Sequence, residues 1–263
     1  MNAIRGLLRR AHEEAWDPWS LAFEGDREQW RERLSEVQRG YLRDLLYSQL
    51  YGEYEVLEGV TRLARLSREE DVRLFLLTHA RDNAVHADVF ERYLHDVAGS
   101  GPLRPEELKL KLPKAYVALI AEEPRRLLSR LEASYNEAEL AELLAIYYLL
   151  ADGILYNTSY EGLRQTVWAR GWLQELRRAY ELISRDEKRQ TLFGAHYMKR
   201  LASASQDALA AIEGALSNYS GHVIATIGHF SPLIESFGLT LQHFIDVSRE
   251  VVAEELQILG LRP

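Results

Sequence analysis

Apolar residues recur every three or four positions along almost the whole chain, the spacing of one face of an α-helix, and no short run alternates as a strand would. The periodicity predicts helices over about 1–16, 27–66, 67–97, 114–131, 136–169, 171–203, 206–227 and 232–258. Punctuation supports these limits. Asp17-Pro18 closes the first helix, and Ser67-Arg-Glu-Glu70 reads as a capping box, in which hydroxyl and carboxylate satisfy free amides at a helix start. Pro102 and Pro113 bound a connecting region, Asn136 caps the next helix and Gly171 breaks it. No linker separates two cores, so the expectation is one all-α domain of about eight helices over residues 1–263.

The departures from this pattern carry the chemistry. Asp152 interrupts the nearly apolar run Leu143–Tyr156. Glu53, three residues before Val56, lies on the same helix side as that valine. His86 is followed by Val89 and Phe90, and Glu187 by Leu192 and Phe193. A buried, isolated carboxylate costs several kcal/mol, so each of these groups needs a partner or a metal ion. Bundle sites for two metal ions take one carboxylate from each of two helices and an i, i+3 Glu–His pair from each of two others. Asn83–His86 and Glu187–Gln190 have that spacing, and Glu53 and Asp152 stand on the preceding helices. The steps are 30, 69 and 35 residues (53 to 83, 83 to 152, 152 to 187), which fit two antiparallel hairpins joined by a longer crossover. The same four ionisable groups would also make a metal-free buried polar network.

Composition narrows the choice. There are 32 Lys and Arg against 40 Asp and Glu, a net charge of −8, which disfavours a nucleic-acid groove or an anionic membrane surface. The chain has no cysteine, which excludes disulfides, thiolate metal sites and thiol nucleophiles. The run Leu143–Tyr156 is too short to span a bilayer. Arg5, Arg9 and Arg10 are followed by His12, Glu13 and Glu14 without the apolar stretch of a secretory leader, so the expected location is cytoplasmic.

Four segments together resemble one family. Gly52-Glu-Tyr-Glu-Val56, Asp82-Asn-Ala-Val-His86, Asp152-Gly-Ile-Leu155 and Asp186-Glu-Lys-Arg-Gln-Thr-Leu-Phe-Gly194 occur in that order. They are similar to the motifs of the ferritin-like superfamily, in its ribonucleotide reductase small-subunit-like branch, and most closely of the ligand-binding oxidases. The resemblance runs from about Trp16 to Leu201 and implies a ferritin-like four-helix bundle with additional helices. The site core would span about 27–203, with the C-terminal helices of 206–258 outside it. The implied ligands are Glu53, Asn83, His86, Asp152, Glu187 and Gln190, holding one or two iron or manganese ions or a mixed pair. Asp82 and Asp186 would accept from a metal-bound His and a nearby Arg, or else stand solvated at the surface. His79, on the helix face of Asn83 and His86, is a candidate for a supplementary ligand, a substrate pocket wall or plain core, and Tyr156 for pocket wall or plain core.

Two departures stand out: the family has a bridging Glu at position 83 and a second His at position 190. Val56 and Tyr147 occupy the positions that the ligand-binding oxidases join by an oxidative ether link. Phe90 stands where reductase small subunits carry a radical tyrosine, and Gln257–Pro263 holds no tyrosine, so nucleotide reduction is not expected. The implied function is an oxygen-activating non-haem metal oxidase or oxygenase acting on a small hydrophobic substrate with O2. A homodimer is compatible with it. The altered ligands favour a rival, a bundle that keeps the fold without redox chemistry.

Overall fold

The computed structural model describes residues 3–259; Met1 and Asn2 of the first expected helix, and 260–263 of the C-terminal segment, lie outside them. The described residues form ten helices and no strand. They are α1 (Ala3–Glu13), α2 (Glu24–Glu32), α3 (Glu36–Leu66), α4 (Glu70–Asp96), α5 (Pro105–Lys109), α6 (114–133), α7 (137–165), α8 (Gln174–Ala204), α9 (Gln206–Glu235) and α10 (Leu241–Leu259). Two more helices occur than the periodicity predicts. The stretch 27–66 divides because Ser35 starts a new helix: its hydroxyl accepts from the Gln38 amide at 3.2 Å, and the Gln38 side chain accepts from the Ser35 amide at 2.9 Å. The connecting region supplies α5, with Pro105 in its first turn.

Other boundaries also differ. The expected capping box at Ser67 does not form: Ser67 closes α3, and α4 begins after Glu69 without a side-chain cap. Pro232 does not start the last helix but sits inside α9. The ring removes the amide that would serve the Gly228 carbonyl, and the Ser231 hydroxyl donates to that oxygen at 3.0 Å instead. The chain turns only at Gly238, whose φ of 84° suits glycine.

The core is two antiparallel hairpins, α3 with α4 and α7 with α8, joined by the crossover that holds α5 and α6. Helix α9 lies across α7, and α1 covers α4 and α8. The buried apolar side chains form one connected core through all of these elements. Helix α8 is anchored at its start by Asp26 of α2, whose carboxylate accepts from the Glu175 and Leu176 amides at 3.2 and 2.8 Å. No described helix is long and apolar enough to cross a membrane.

Candidate metal centre

Each core helix delivers one part of the site. Helix α3 brings Glu53; a side chain on the preceding Gly52 would stand 2.6 Å from the Tyr116 hydroxyl, which donates to the Ser48 carbonyl. Helix α4 brings Asp82, Asn83 and His86, and α8 brings Asp186, Glu187, Arg189 and Gln190. Helix α7 carries Asp152 inside a π-helical stretch, Ala145–Tyr156, whose i→i+5 bonding shifts the face each residue presents.

Ligand atoms of Glu53, His86 and Glu187 all lie within 4.8 Å of one another, and all three residues are buried. The His86 Nδ1 is 3.4 Å from carboxylate oxygens of both Glu53 and Glu187 and makes no hydrogen bond. Its Nε2 lies 3.3 Å from Asp186 Oδ2. That oxygen also accepts from Trp16 Nε1 at 2.7 Å, and Trp16 stacks on the imidazole at 6.3 Å. Arg189, only 1% exposed, donates to Asp186 at 2.8 Å, Asp82 at 2.7 Å and Glu14 at 2.9 Å. Arg81 completes the pairing of Asp82.

The charges reflect this crowding. Burial alone would push the His86 imidazole down, but the Glu53 charge, the bond to Asp186 and the close carboxylates of Glu187 and Glu53 raise it well above its ordinary value. Burial, with the neighbouring Glu53 charge, pushes Glu187 up to about 7 despite its contact with His86. Asp186, which burial would raise, is held at about 2 by its bond to His86, the His86 charge, Trp16 and Arg189. A proton on His86 thus occupies the place where a cation would offset the two carboxylates. Nδ1 flanked by carboxylate oxygens, with Nε2 tied to Asp186, suits a transition-metal ion: the Asp186 carboxylate, by accepting from Nε2, fixes the tautomer that leaves Nδ1 free to ligate.

The remaining sequence candidates divide. Asn83 donates from Nδ2 to Glu53 at 2.8 Å, and its Oδ1 has no hydrogen-bond partner. Asp152 lines the same cavity as Glu53, Asn83 and Glu187 but stands outside the close cluster. Gln190 is fully buried, and neither amide atom is bonded. Tyr156 lines the cavity, with its hydroxyl 3.3 Å from the Tyr180 carbonyl and Ser184. His79 does not line it; its Nδ1 is 3.0 Å from the Tyr148 hydroxyl. Val56 lines the cavity, whereas the Tyr147 hydroxyl rests against Gly59, one turn further along α3. Phe90 is buried edge-on to Tyr180 at 5.6 Å.

Sequence reasoning missed Trp16, Arg189 and Asp26. Arg189 had a signal, a cation three residues after Asp186 and so on the same buried helix face. Trp16 had none, because its partner lies 170 residues away.

The cavity beside the cluster has a volume of about 90 Å³. Its walls are largely apolar, with Leu45, Val56, Ile120, Leu155, Ile227 and Phe230 prominent.

No family model matches the chain. Among solved structures, a valine-to-leucine variant of an R2-like ligand-binding oxidase with an aerobically reconstituted Mn/Fe cofactor aligns at a TM-score of 0.88 and 18% identity. The alignment covers 100% of this chain and 94% of that one. A valine-to-isoleucine variant with the same cofactor aligns at 0.86 and 18% identity, covering 98% and 93%. A glycine-to-leucine variant with an Fe/Fe cofactor aligns at 0.84 and 18% identity, covering 98% and 92%. The chain therefore has the ferritin-like fold of the R2-like ligand-binding oxidases over its whole length.

Proposed function

We infer that this protein is a metal-dependent, oxygen-activating oxidase or oxygenase acting on a small hydrophobic organic substrate, with one tightly held ion per chain. The observation that supports it most is the unbonded His86 Nδ1 between Glu53 and Glu187, beside an apolar cavity. Glu53, His86 and Glu187 would hold the ion, and solved structures of the same fold carry Mn/Fe or Fe/Fe. A reduced iron or manganese ion there would supply electrons to O2.

The chain's own residues do the rest. Asp186, anchored by Arg189 and Trp16, keeps the imidazole oriented and its Nδ1 available. The apolar walls hold substrate next to the cluster and exclude water. Asp152 and Gln190 are the weaker half of the site. Two divalent ions would bring four positive charges against three from Glu53, Asp152 and Glu187, and Gln190 offers a neutral amide. Tyr147 and Val56 are the proposed crosslink pair.

A second reading, a metal-free polar bundle, is favoured by the Asn83 amide already donating to Glu53. Elemental analysis of protein from metal-replete cells separates the two. The expected result is about one iron or manganese per chain, O2 uptake when ferrous-loaded protein meets air, and no metal in His86→Ala. Protein that stays metal-free after anaerobic ferrous loading supports the second reading.

A further inference from the structure

Resting on the metal-site reading above for its oxidant, we propose that Tyr148 and His79 form a proton-coupled redox pair, which Tyr197 and Tyr135 connect to the surface as a route for electrons into the metal centre. The Tyr148 ring is fully buried, and its hydroxyl lies 3.0 Å from His79 Nδ1. His79 is 1% exposed, and its Nε2 has no hydrogen-bond partner. Counting donors orients the pair. If Nδ1 donated, the phenol hydrogen and the Nε2 lone pair would both be buried unmet; if the phenol donates, only the Nε2 hydrogen is. Burial, with the charges of His86 and Arg189, holds the His79 pKa at about 3, so the imidazole is neutral and Nδ1 can accept. The pair stands close to the cluster. His79 precedes His86 by seven residues on α4, two turns or about 10 Å along the axis. Tyr148 precedes Asp152 by one turn of α7 and packs where Gly194 of α8 leaves room for it.

From Tyr148 the aromatic rings run outward. Phe193 lies edge-on to Tyr148 at 5.5 Å and stands 5.8 Å from Tyr197. The Tyr197 and Tyr135 hydroxyls are close enough for each to shift the other's ionisation. Tyr135 is half-buried, with the Arg68 guanidinium over its ring at 4.1 Å. Each step balances. Tyr148 gives one electron to the metal ion that O2 has oxidised; its O–H breaks, and the proton passes to His79 Nδ1. An oxidised phenol is a far stronger acid than an imidazolium, so even this weakly basic imidazole takes the proton. Tyr197 then gives an electron to the Tyr148 radical, which recovers its proton from His79. The Tyr197 proton passes to the Tyr135 oxygen as Tyr135 releases its own to water. A hydrogen atom from Tyr135 restores Tyr197. A one-electron reductant in solution, such as ascorbate, restores Tyr135 together with a proton from water.

Flash-generated ruthenium(III) polypyridine in solution can oxidise the metal-free protein, and electron paramagnetic resonance after freezing identifies the radical. The expected signal is a tyrosyl radical coupled to nitrogen of isotopically labelled histidine. Tyr148→Phe should remove it. His79→Gln still accepts a hydrogen bond from the phenol but cannot carry its proton, so it should remove the signal too; a purely structural role for His79 would leave it in place. Ferrous-loaded protein mixed with O2 should show the same radical, discharged by ascorbate in the parent and persisting in Tyr197→Phe. A radical without the histidine coupling, or one unchanged in Tyr148→Phe or His79→Gln, overturns the proposal. So does iron-loaded protein that consumes O2 without forming the radical. Protein that takes up no ferrous ion, yet forms the radical with ruthenium, overturns the metal-site reading alone.

Discussion

His79 shows how burial turns one side chain into a dependence on pH. Burial, with the charges of His86 and Arg189, lowers its pKa to about 3. Below pH 6.5 the unfolded chain protonates this imidazole, while the folded protein does not until about pH 3. The folded state therefore loses stability as pH falls through that window, by up to about 1.4 kcal/mol per pH unit for one proton. His79→Gln, able to keep a bond to Tyr148, should flatten the slope by about one proton. Urea unfolding at several values between pH 4 and 6.5 would measure it, and an unchanged slope would show that other groups dominate acid sensitivity.

At the scale of elements, glycines set how closely the helices approach. A Cβ on Gly59 would collide with the Tyr147 hydroxyl, and one on Gly194 with the Tyr148 side chain, so α7 lies against α3 and α8 only because both positions are glycine. Gly59→Ala is expected to destabilise the protein by about 1–3 kcal/mol through overpacking and to move Tyr147 from its seat. The midpoint of chemical denaturation reads the first effect. The position of Tyr147 also bears on its proposed link to Val56. In aerobically metal-loaded protein the Tyr147 O–H and a Val56 C–H would each lose hydrogen, an O–C bond would form, and O2 would take up the two electrons. Intact mass should fall by two hydrogens and one joined peptide should replace two. The link should fail in Gly59→Ala. Unmodified peptides in the loaded parent protein would count against it.

For the whole molecule, the governing quantity is charge balance across four helices. Asn83 and Gln190 remove one carboxylate and one imidazole from the set that two ions need, and both amides are buried where substitutions can act on the site. Asn83→Glu together with Gln190→His should raise iron content from about one toward two per chain. The new carboxylate would bridge, and the new imidazole would ligate the second ion beside Asp152. Equal content in parent and double variant, with both near two, would show that three carboxylates suffice.

The helical period, the four polar intrusions and their spacing were legible along the chain, because amphipathic helices and the cost of burying charge act over a few residues. They determined the all-helical bundle, its two hairpins and crossover, and the carboxylate and histidine candidates. Tertiary structure decided what depends on distance in space rather than along the chain. Asp152 stands in a π-helical stretch, whose i→i+5 register an α-helical wheel does not describe, and outside the close cluster. The Asn83 amide was turned toward Glu53, and His79 was drawn to Tyr148 rather than to the cavity. Trp16 became a support of Asp186 only through the contact between α8 and the N-terminal segment, whereas Arg189 reaches Asp186 within α8 and ties it to Asp82 of α4. Local sequence determines which groups must find partners, because burial without one is costly; the packing of distant helices decides which partners they find.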